Sequence, residues 1–255
     1  QLTKSLESTV LSNNRENSCI ILDGKLNGNN CELTQNDGTI LKGVFKRGVL
    51  TGDGAAYFSN GVILEGLFEK NDFVKGIKTY PTGGQDIGSF TNGQLKGENC
   101  TRIYPNKKKI LEGTFKDNEL FYGNITYFNG DVERGFFDKG RLEEGIRVTT
   151  HYAEEGVFES GIFQYGKLNF TKLGLVEYGA RNNGNLHGEN CTRIRSINNI
   201  SEIGTFRNND FISGTVIVSR NQVEVGNRNK QGQITGGCNI NYFSGASAGV
   251  ELNGT

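Results

Sequence analysis

Apolar residues recur along this chain in pairs five positions apart, and the pairs return about every 23 residues. Ile21 pairs with Leu26, Phe45 with Leu50, Phe68 with Phe73, Phe90 with Leu95, Phe115 with Leu120, Phe137 with Leu142, Phe158 with Phe163 and Phe206 with Phe211. In most copies a glycine stands two residues before the first member, as in Gly43-Val44-Phe45, Gly66-Leu67-Phe68, Gly88-Ser89-Phe90, Gly113-Thr114-Phe115, Gly135-Phe136-Phe137, Gly156-Val157-Phe158 and Gly204-Thr205-Phe206, while Gly179 and Gly226 keep only the glycine. That spacing sets the two apolar side chains opposite each other across a short hairpin loop. A period in this range denotes stacked supersecondary units that bury their apolar faces on one another. The predicted fold is all-β: an elongated array of about ten stacked antiparallel hairpins in one open sheet, its Phe and Leu rows forming two continuous ladders. At roughly 25 cal/mol per Å² of apolar surface, those ladders are the main stabilising term, and a single repeat is expected to be unstable alone.

Between the members of each pair the backbone must enter the left-handed region. Gly48 fills that place, as do Gly24, Gly93, Gly140, Gly161 and Gly184 in the equivalent turns. Where glycine is missing the residue is Asn71, Asn118 or Asn209, and asparagine is the next most tolerant of positive φ. A second set of turns closes the far ends of the strands at Ser59-Asn60-Gly61, Pro81-Thr82-Gly83 and Phe128-Asn129-Gly130.

Anchors at Cys19, where the glycine is replaced, and at residues 43, 66, 88, 113, 135, 156, 179, 204 and 226 divide residues 19–255 into about ten repeats of 21–28 residues. Residues 1–18, with Leu6 and Val10-Leu11, form an N-terminal extension or cap that could supply an added strand. They lack an apolar core and are not a signal peptide, although one could have been removed upstream. A larger duplication is visible as well. Gly97-Glu98-Asn99-Cys100-Thr101-Arg102-Ile103 recurs letter for letter from Gly188 to Ile194, and Gly113-Thr114-Phe115 recurs as Gly204-Thr205-Phe206 at the same offset.

From Gly43 to Gly66 the chain spells Gly-x-Phe-x-x-Gly-x-x-x-Gly-x-Gly, an aromatic pair, an Asn-Gly turn and an apolar-Glu-Gly exit. This resembles the MORN repeat, and a weaker form covers about residues 19–254. The usual Tyr-x-Gly lead-in is mostly Leu-Glu-Gly or Ile-Gly here, and Ala180-Arg181 and Asn227-Arg228 replace the aromatic position. The resemblance implies stacked antiparallel hairpins serving as scaffolds in cytoskeletal, ciliary or membrane-junction assemblies, with lipid binding proposed for the family. Some members join the repeats to a catalytic domain, but here every residue belongs to a repeat or a short end.

Composition adds mainly exclusions. Basic and acidic residues number 28 each, so no net field draws nucleic acid or an anionic membrane, and lipid binding has no support from charge. Lys107-Lys108-Lys109 reads as a solvated loop, and no apolar stretch approaches the ~18 residues needed to cross a bilayer. His151 and His187 are the only histidines and have no partner at metal-ligand spacing, with His187 read as an exposed turn residue. Glu143-Glu144 and Glu154-Glu155 are read as solvated carboxylates beside turns rather than acid/base pairs. Gly83-Gly84 has no following helix to cradle a phosphate. The expectation is no catalytic residue, no metal and no cofactor.

Cys31, Cys100, Cys191 and Cys238 fall at nearly the same place in their repeats, too far apart to bridge one another. They are read as small packed residues, with a bridge between molecules as the alternative. Sequons begin at Asn99, Asn124, Asn169, Asn190, Asn199 and Asn253, where roughly four would arise from composition alone. Asn99 and Asn190 stand in the duplicated heptad, with Asn and Thr two apart on one strand face. The function expected is a non-enzymatic scaffold that self-associates head to tail or holds a protein partner. An extracellular or cell-surface setting is favoured, with a cytoplasmic, cytoskeleton-associated one as the alternative.

Overall fold

The computed structural model describes residues 19–219, 222–228, 234–242 and 250–253, so the extension over 1–18 and the side chains of Cys238 and Asn253 lie outside the described residues. The chain falls into two units, Gln1–Phe128 and Asn129–Thr255. The first holds β1 (Ile20–Leu22), β2 (Lys25–Thr34), β3 (Ile40–Lys46), β4 (Val49–Tyr57), β5 (Ile63–Glu69), β6 (Asp72–Thr79), β7 (Gln85–Thr91), β8 (Gln94–Leu95), β9 (Gly97–Ile103), β10 (Lys109–Lys116) and β11 (Glu119–Tyr127). The second holds β12 (Val132–Asp138), β13 (Arg141–Val148), β14 (Ala153–Glu159), β15 (Ile162–Phe170), β16 (Leu175–Asn182), β17 (Asn185–Leu186), β18 (Gly188–Arg195), β19 (Ile200–Arg207), β20 (Asp210–Ser219), β21 (Gln222–Arg228), β22 (Ile234–Tyr242) and β23 (Val250–Asn253). The protein is all-β, with antiparallel pairing between successive strands in each unit. The two-residue strands β8 and β17 fold back on β7 and β16, and β9 and β18 pair past them.

A row of glycines crosses each unit and explains the period. Gly43, Gly54, Gly66, Gly76 and Gly88 are successive cross-strand partners, and Gly113 lies between Cys100 and Gly123. In the second unit the row runs Gly135, Gly145, Gly156, Gly166, Gly179, and then Cys191, Gly204, Gly214, Gly226. A Cβ on Gly66 would land on the Lys75 carbonyl oxygen and 2.7 Å from the Gly76 Cα, at a φ of +149° that L side chains rarely adopt. The sheet face along this row is therefore bare, and the inward side chains on either side form two parallel rows.

The first row is the aromatic ladder. Phe45 faces Leu50, Phe68 faces Phe73, Phe90 faces Leu95 and Phe115 faces Leu120 in the first unit. In the second unit Phe137 faces Leu142, Phe158 faces Phe163 and Phe206 faces Phe211. All of them are buried, with Leu142 fully enclosed and Phe211 showing 8% of its surface. Ring centroids step along the row at 5.2 Å from Phe68 to Phe73 and 4.8 Å from Phe73 to Phe90. Ile21 pairs in register with Leu26 but is 53% exposed, so the ladder stops at Leu26 rather than at Ile21.

The turns take positive φ at Gly48 (+80°), Gly93 (+74°), Asn71 (+71°), Asn118 (+67°) and Asn209 (+72°). Asparagine has a second reason to be there. The Asn71 N–H donates to the Leu50 carbonyl at 3.0 Å while its side-chain oxygen accepts from the Leu50 N–H at 2.8 Å, tying one hairpin turn to the previous hairpin. Asn209 makes the same two bonds with Leu186, whereas Gly48 donates only its N–H, to Leu26.

Candidate functional site

The second inward row lies two residues from each glycine on the side away from the ladder. In the first unit it reads Leu41, Ala56, Leu64, Lys78, Asp86, Arg102, Leu111, Ile125, each opposite the next. In the second it reads Glu133, Arg147, Glu154, Leu168, Glu177, Arg193, Glu202, Val216. Burying this many charges is tolerable only if each is paired and hydrogen-bonded, and three arginines meet that condition in one recurring arrangement.

Arg102 receives Asp86 in a two-pronged contact, with Nε to Oδ1 at 2.6 Å and Nη2 to Oδ2 at 2.8 Å. It then reaches forward to the next turn, where Nη1 donates to the Asn118 carbonyl at 2.9 Å and Nη2 to the Asn118 side-chain oxygen at 2.6 Å. Across the bare glycine row its guanidinium lies 5.5 Å from the centre of the Phe115 ring. The duplicated heptad carries the same clamp: Arg193 donates to Glu177 at 2.6 Å and to the Asn209 carbonyl at 2.7 Å, and sits 5.0 Å over Phe206. Arg147 repeats the scheme with Glu133 at 2.7 Å, the Gly161 carbonyl at 2.8 Å and the Phe158 ring at 4.9 Å. Each clamp thus binds a carboxylate directly opposite on a paired strand, a turn on the following hairpin and a ladder ring.

The two duplicated clamps finish their carboxylates differently. Asp86 accepts a further bond from the Tyr80 hydroxyl at 2.8 Å, and burial with that bond pushes the Tyr80 pKa up to about 12. Glu177 instead accepts from Arg181 Nη1 at 2.6 Å. Burial pushes the Glu177 carboxyl up, but the bonds from Arg181 and Arg193 outweigh it and hold the group below its ordinary value. Arg181 occupies the ladder position that Phe90 holds in the first copy, opposite Leu186 and 5.8 Å from the Phe163 ring. Its side chain is 2% exposed, and its Nε and Nη2 have no hydrogen-bond partner.

Several residues read from the sequence land elsewhere than expected. Glu154 is not a solvated residue beside a turn: it lies in β14, half-buried, and accepts from Arg147 Nη1 at 3.1 Å. Burial raises its pKa against the opposing pull of Arg147. His187 is half-buried, with Nδ1 3.3 Å from the Asn208 side-chain oxygen. Cys31 is not a free packed thiol but is bonded to Cys19, Cα to Cα 5.2 Å, while Cys100 and Cys191 are free and buried. Cys100 and Cys191 stand in the glycine row, and burial raises the Cys191 pKa. The sequon residues divide. Asn99, Asn190 and Asn199 are exposed with φ of +52°, +55° and +54°, whereas Asn124 and Asn169 are half-buried in β11 and β15.

A cleft of about 260 Å³ lies beside the first clamp, lined in part by Tyr80, Arg102, Tyr104, Pro105 and Asn118. Its Tyr80, Asp86 and Arg102 side chains are bonded to one another. Among the described residues no cluster of three His, Cys, Asp or Glu side chains could hold a metal ion, and no helix is long and apolar enough to cross a membrane.

Comparison with known proteins gives a partial match. Residues 71–129 match the family described as histone H3 K4-specific methyltransferase SET7 N-terminal, a MORN-like repeat region, so that stretch is MORN-like in a loose sense. No curated protein matches the chain. Among solved structures, a catalytically inactive virginiamycin B lyase from Staphylococcus aureus with quinupristin aligns at 13% identity, over 94% of this chain and 74% of the other, with a TM-score of 0.16. At that score the likeness carries no argument about fold or activity.

Proposed function

We propose that the chain is a non-enzymatic structural or assembly protein, a rigid repeat scaffold that engages neighbours through its end strands or flanks in an extracellular or cell-surface assembly. The observation that carries this reading is the closure of the three arginine clamps on the protein's own carboxylates and turns. The carboxylates of all three clamps face arginines, and those arginines face turn carbonyls, an arrangement that locks hairpin to hairpin. The shifted groups at the clamps, Tyr80, Glu154 and Glu177, owe their shifts to burial and to the ion pairs that hold the strands, as structural ion-pair networks do. Among the described residues β1 bonds one neighbour only, and its Ile20, Ile21 and Leu22 are all exposed, which suits addition of a strand from another molecule. The Cys19–Cys31 bridge fits an oxidising compartment.

The test is the association state of the full chain. Light scattering and negative-stain microscopy over a rising concentration series are expected to show open, head-to-tail oligomers that Ile21→Lys shortens. Monomers alone at high concentration would remove the filament form of the reading. A cytoplasmic scaffold or binding module for a cytoskeletal or membrane-associated partner is the second reading, and it rests on the MORN-like character of residues 71–129. Thiols stay reduced in the cytosol and nucleus, so free Cys19 and Cys31 in the native protein would select that alternative. Equal numbers of basic and acidic residues give an anionic lipid surface no long-range attraction to this chain.

A further inference from the structure

We infer that Asn99, Asn190 and Asn199 are N-glycan acceptors, and that Asn124 and Asn169, despite matching the same triplet, are not. The inference rests on the extracellular reading above and deepens it by naming the modification sites. A glycan is a bulky group that must leave the surface from the Asn Nδ2, so the acceptor has to be exposed with its amide unengaged.

Asn99 and Asn190 meet both conditions through the same backbone device. Each sits at a bulge where strand register shifts, between Gly113 and Phe115 opposite β9 and between Gly188 and Cys191 in β18. Each takes a left-handed φ, is exposed, and has no side-chain hydrogen bond among the described residues. The middle residue of each triplet, Cys100 or Cys191, is fully buried in the glycine row, which turns the flanking Asn and Thr away from the ladder. Asn199 closes the turn between β18 and β19, exposed and left-handed, with Ser201 two residues on. By contrast, Asn124 is half-buried opposite Glu112 and is already engaged, and Asn169 is half-buried between Ala153 and Val176.

Two measurements separate the sites from the compartment. In the first, the full chain is directed through a eukaryotic secretory pathway, so that every triplet meets the glycosylation machinery. Peptide mass spectrometry after enzymatic glycan release is expected to mark Asn99, Asn190 and Asn199 and to leave Asn124 and Asn169 unmarked. Thr101→Ala, Thr192→Ala and Ser201→Ala should each remove one glycan step on a gel, with Thr126→Ala and Thr171→Ala changing nothing. Glycans at Asn124 or Asn169, or none at the three named sites, overturn the assignment. In the second, the native protein is examined for the Cys19–Cys31 bridge and for glycans together. A bridged chain with bare Asn99, Asn190 and Asn199 overturns the site assignment in the native protein while the compartment stands. Free thiols with no glycans overturn the compartment, and the native modification with it.

Discussion

Arg181 gives the sharpest test of how this fold is held together. It fills a ladder slot meant for an aromatic ring, and two of its three guanidinium nitrogens are buried without partners. Each unpartnered buried donor costs about 1–3 kcal/mol, while the single bond from Nη1 to Glu177 returns about 1.5–3 kcal/mol. Glu177 would keep its 2.6 Å bond from Arg193 if Arg181 were removed. Arg181→Phe therefore trades one charge-assisted bond for two relieved donors and a ring able to pack on Phe163 and Leu186. Exchanging a buried ion pair for well-packed apolar side chains is often neutral or stabilising by up to about 4 kcal/mol, and we expect about 2 kcal/mol here. That corresponds to a rise of roughly 4–8 °C in the midpoint of a chain this size.

The first copy of the duplication shows how to complete the change. There the carboxylate takes its extra bond from the Tyr80 hydroxyl rather than from the ladder position, and Thr171 stands where Tyr80 would be in the second copy. Thr171→Tyr with Arg181→Phe rebuilds the first copy's solution. The second substitution should be worth about 1 kcal/mol more in the presence of the first than alone, a coupling that a double-mutant cycle by thermal or denaturant unfolding reads directly. Arg181→Ala is the control: it relieves the same donors but leaves the slot empty, and should gain nothing. If Arg181→Phe lowers the midpoint while Arg181→Ala leaves it unchanged, the claim that the slot wants a ring is wrong.

Other expectations follow from the same geometry. Gly66→Ala should cost about 3 kcal/mol or more because its Cβ meets the Lys75 carbonyl, whereas Gly93→Ala, at a turn with nothing within 4 Å of the added atom, should cost only about 1 kcal/mol from its positive φ; paired denaturation curves compare them. Glu154, with a folded pKa above its ordinary 4.5, binds a proton before the unfolded chain does, so stability should rise as pH falls toward that value; Glu177, held below 4.5, should make stability fall again once pH passes beneath it. Glu154→Gln should abolish the first trend and Glu177→Gln the second in unfolding midpoints measured against pH. Reducing the Cys19–Cys31 bridge, which closes a separation of 12 residues, should destabilise by about 3 kcal/mol by loop-closure entropy, and Cys191 should resist alkylation until the chain unfolds.

Hairpin pairs and turns are legible in the sequence because each leaves a mark in a single residue type. An apolar pair five apart and a Gly or Asn between its members encode the facing side chains and the positive φ at once, and every pair from Phe45 with Leu50 to Phe206 with Phe211 is found in register. The glycine row is half legible: the anchors at Gly43, Gly66 and Gly88 stand out, but Gly54 and Gly76 join them only when strand register is known. The clamps leave no local mark, since Asp86 and Arg102 are 16 residues apart and become neighbours only through cross-strand pairing. The signal is nevertheless present. Arg102 belongs to the duplicated heptad, and once Phe90 with Leu95 and Phe115 with Leu120 fix the register, Asp86 falls opposite it. Counting repeats places Cys19 at an anchor, which hides its place across the first hairpin from Cys31.

The duplication also says why the clamps persist while the ladder can lose a ring. Replacing Phe90 by its counterpart Arg181 changes one slot, and the neighbouring Glu177 takes one bond from the new guanidinium while keeping its bond from Arg193. Replacing Arg102 would at one stroke leave the buried Asp86 without its arginine, and replacing Arg193 would leave Glu177 only its bond from Arg181; either change would also strip a donor from the Asn118 or Asn209 turn and uncover a ladder ring, a loss that cannot be made up by a single neighbour. The arginine is thus the point at which strand, turn and ladder depend on one another. On this physical ground charged residues stand among the apolar ones of the second row, while the first row is almost wholly apolar.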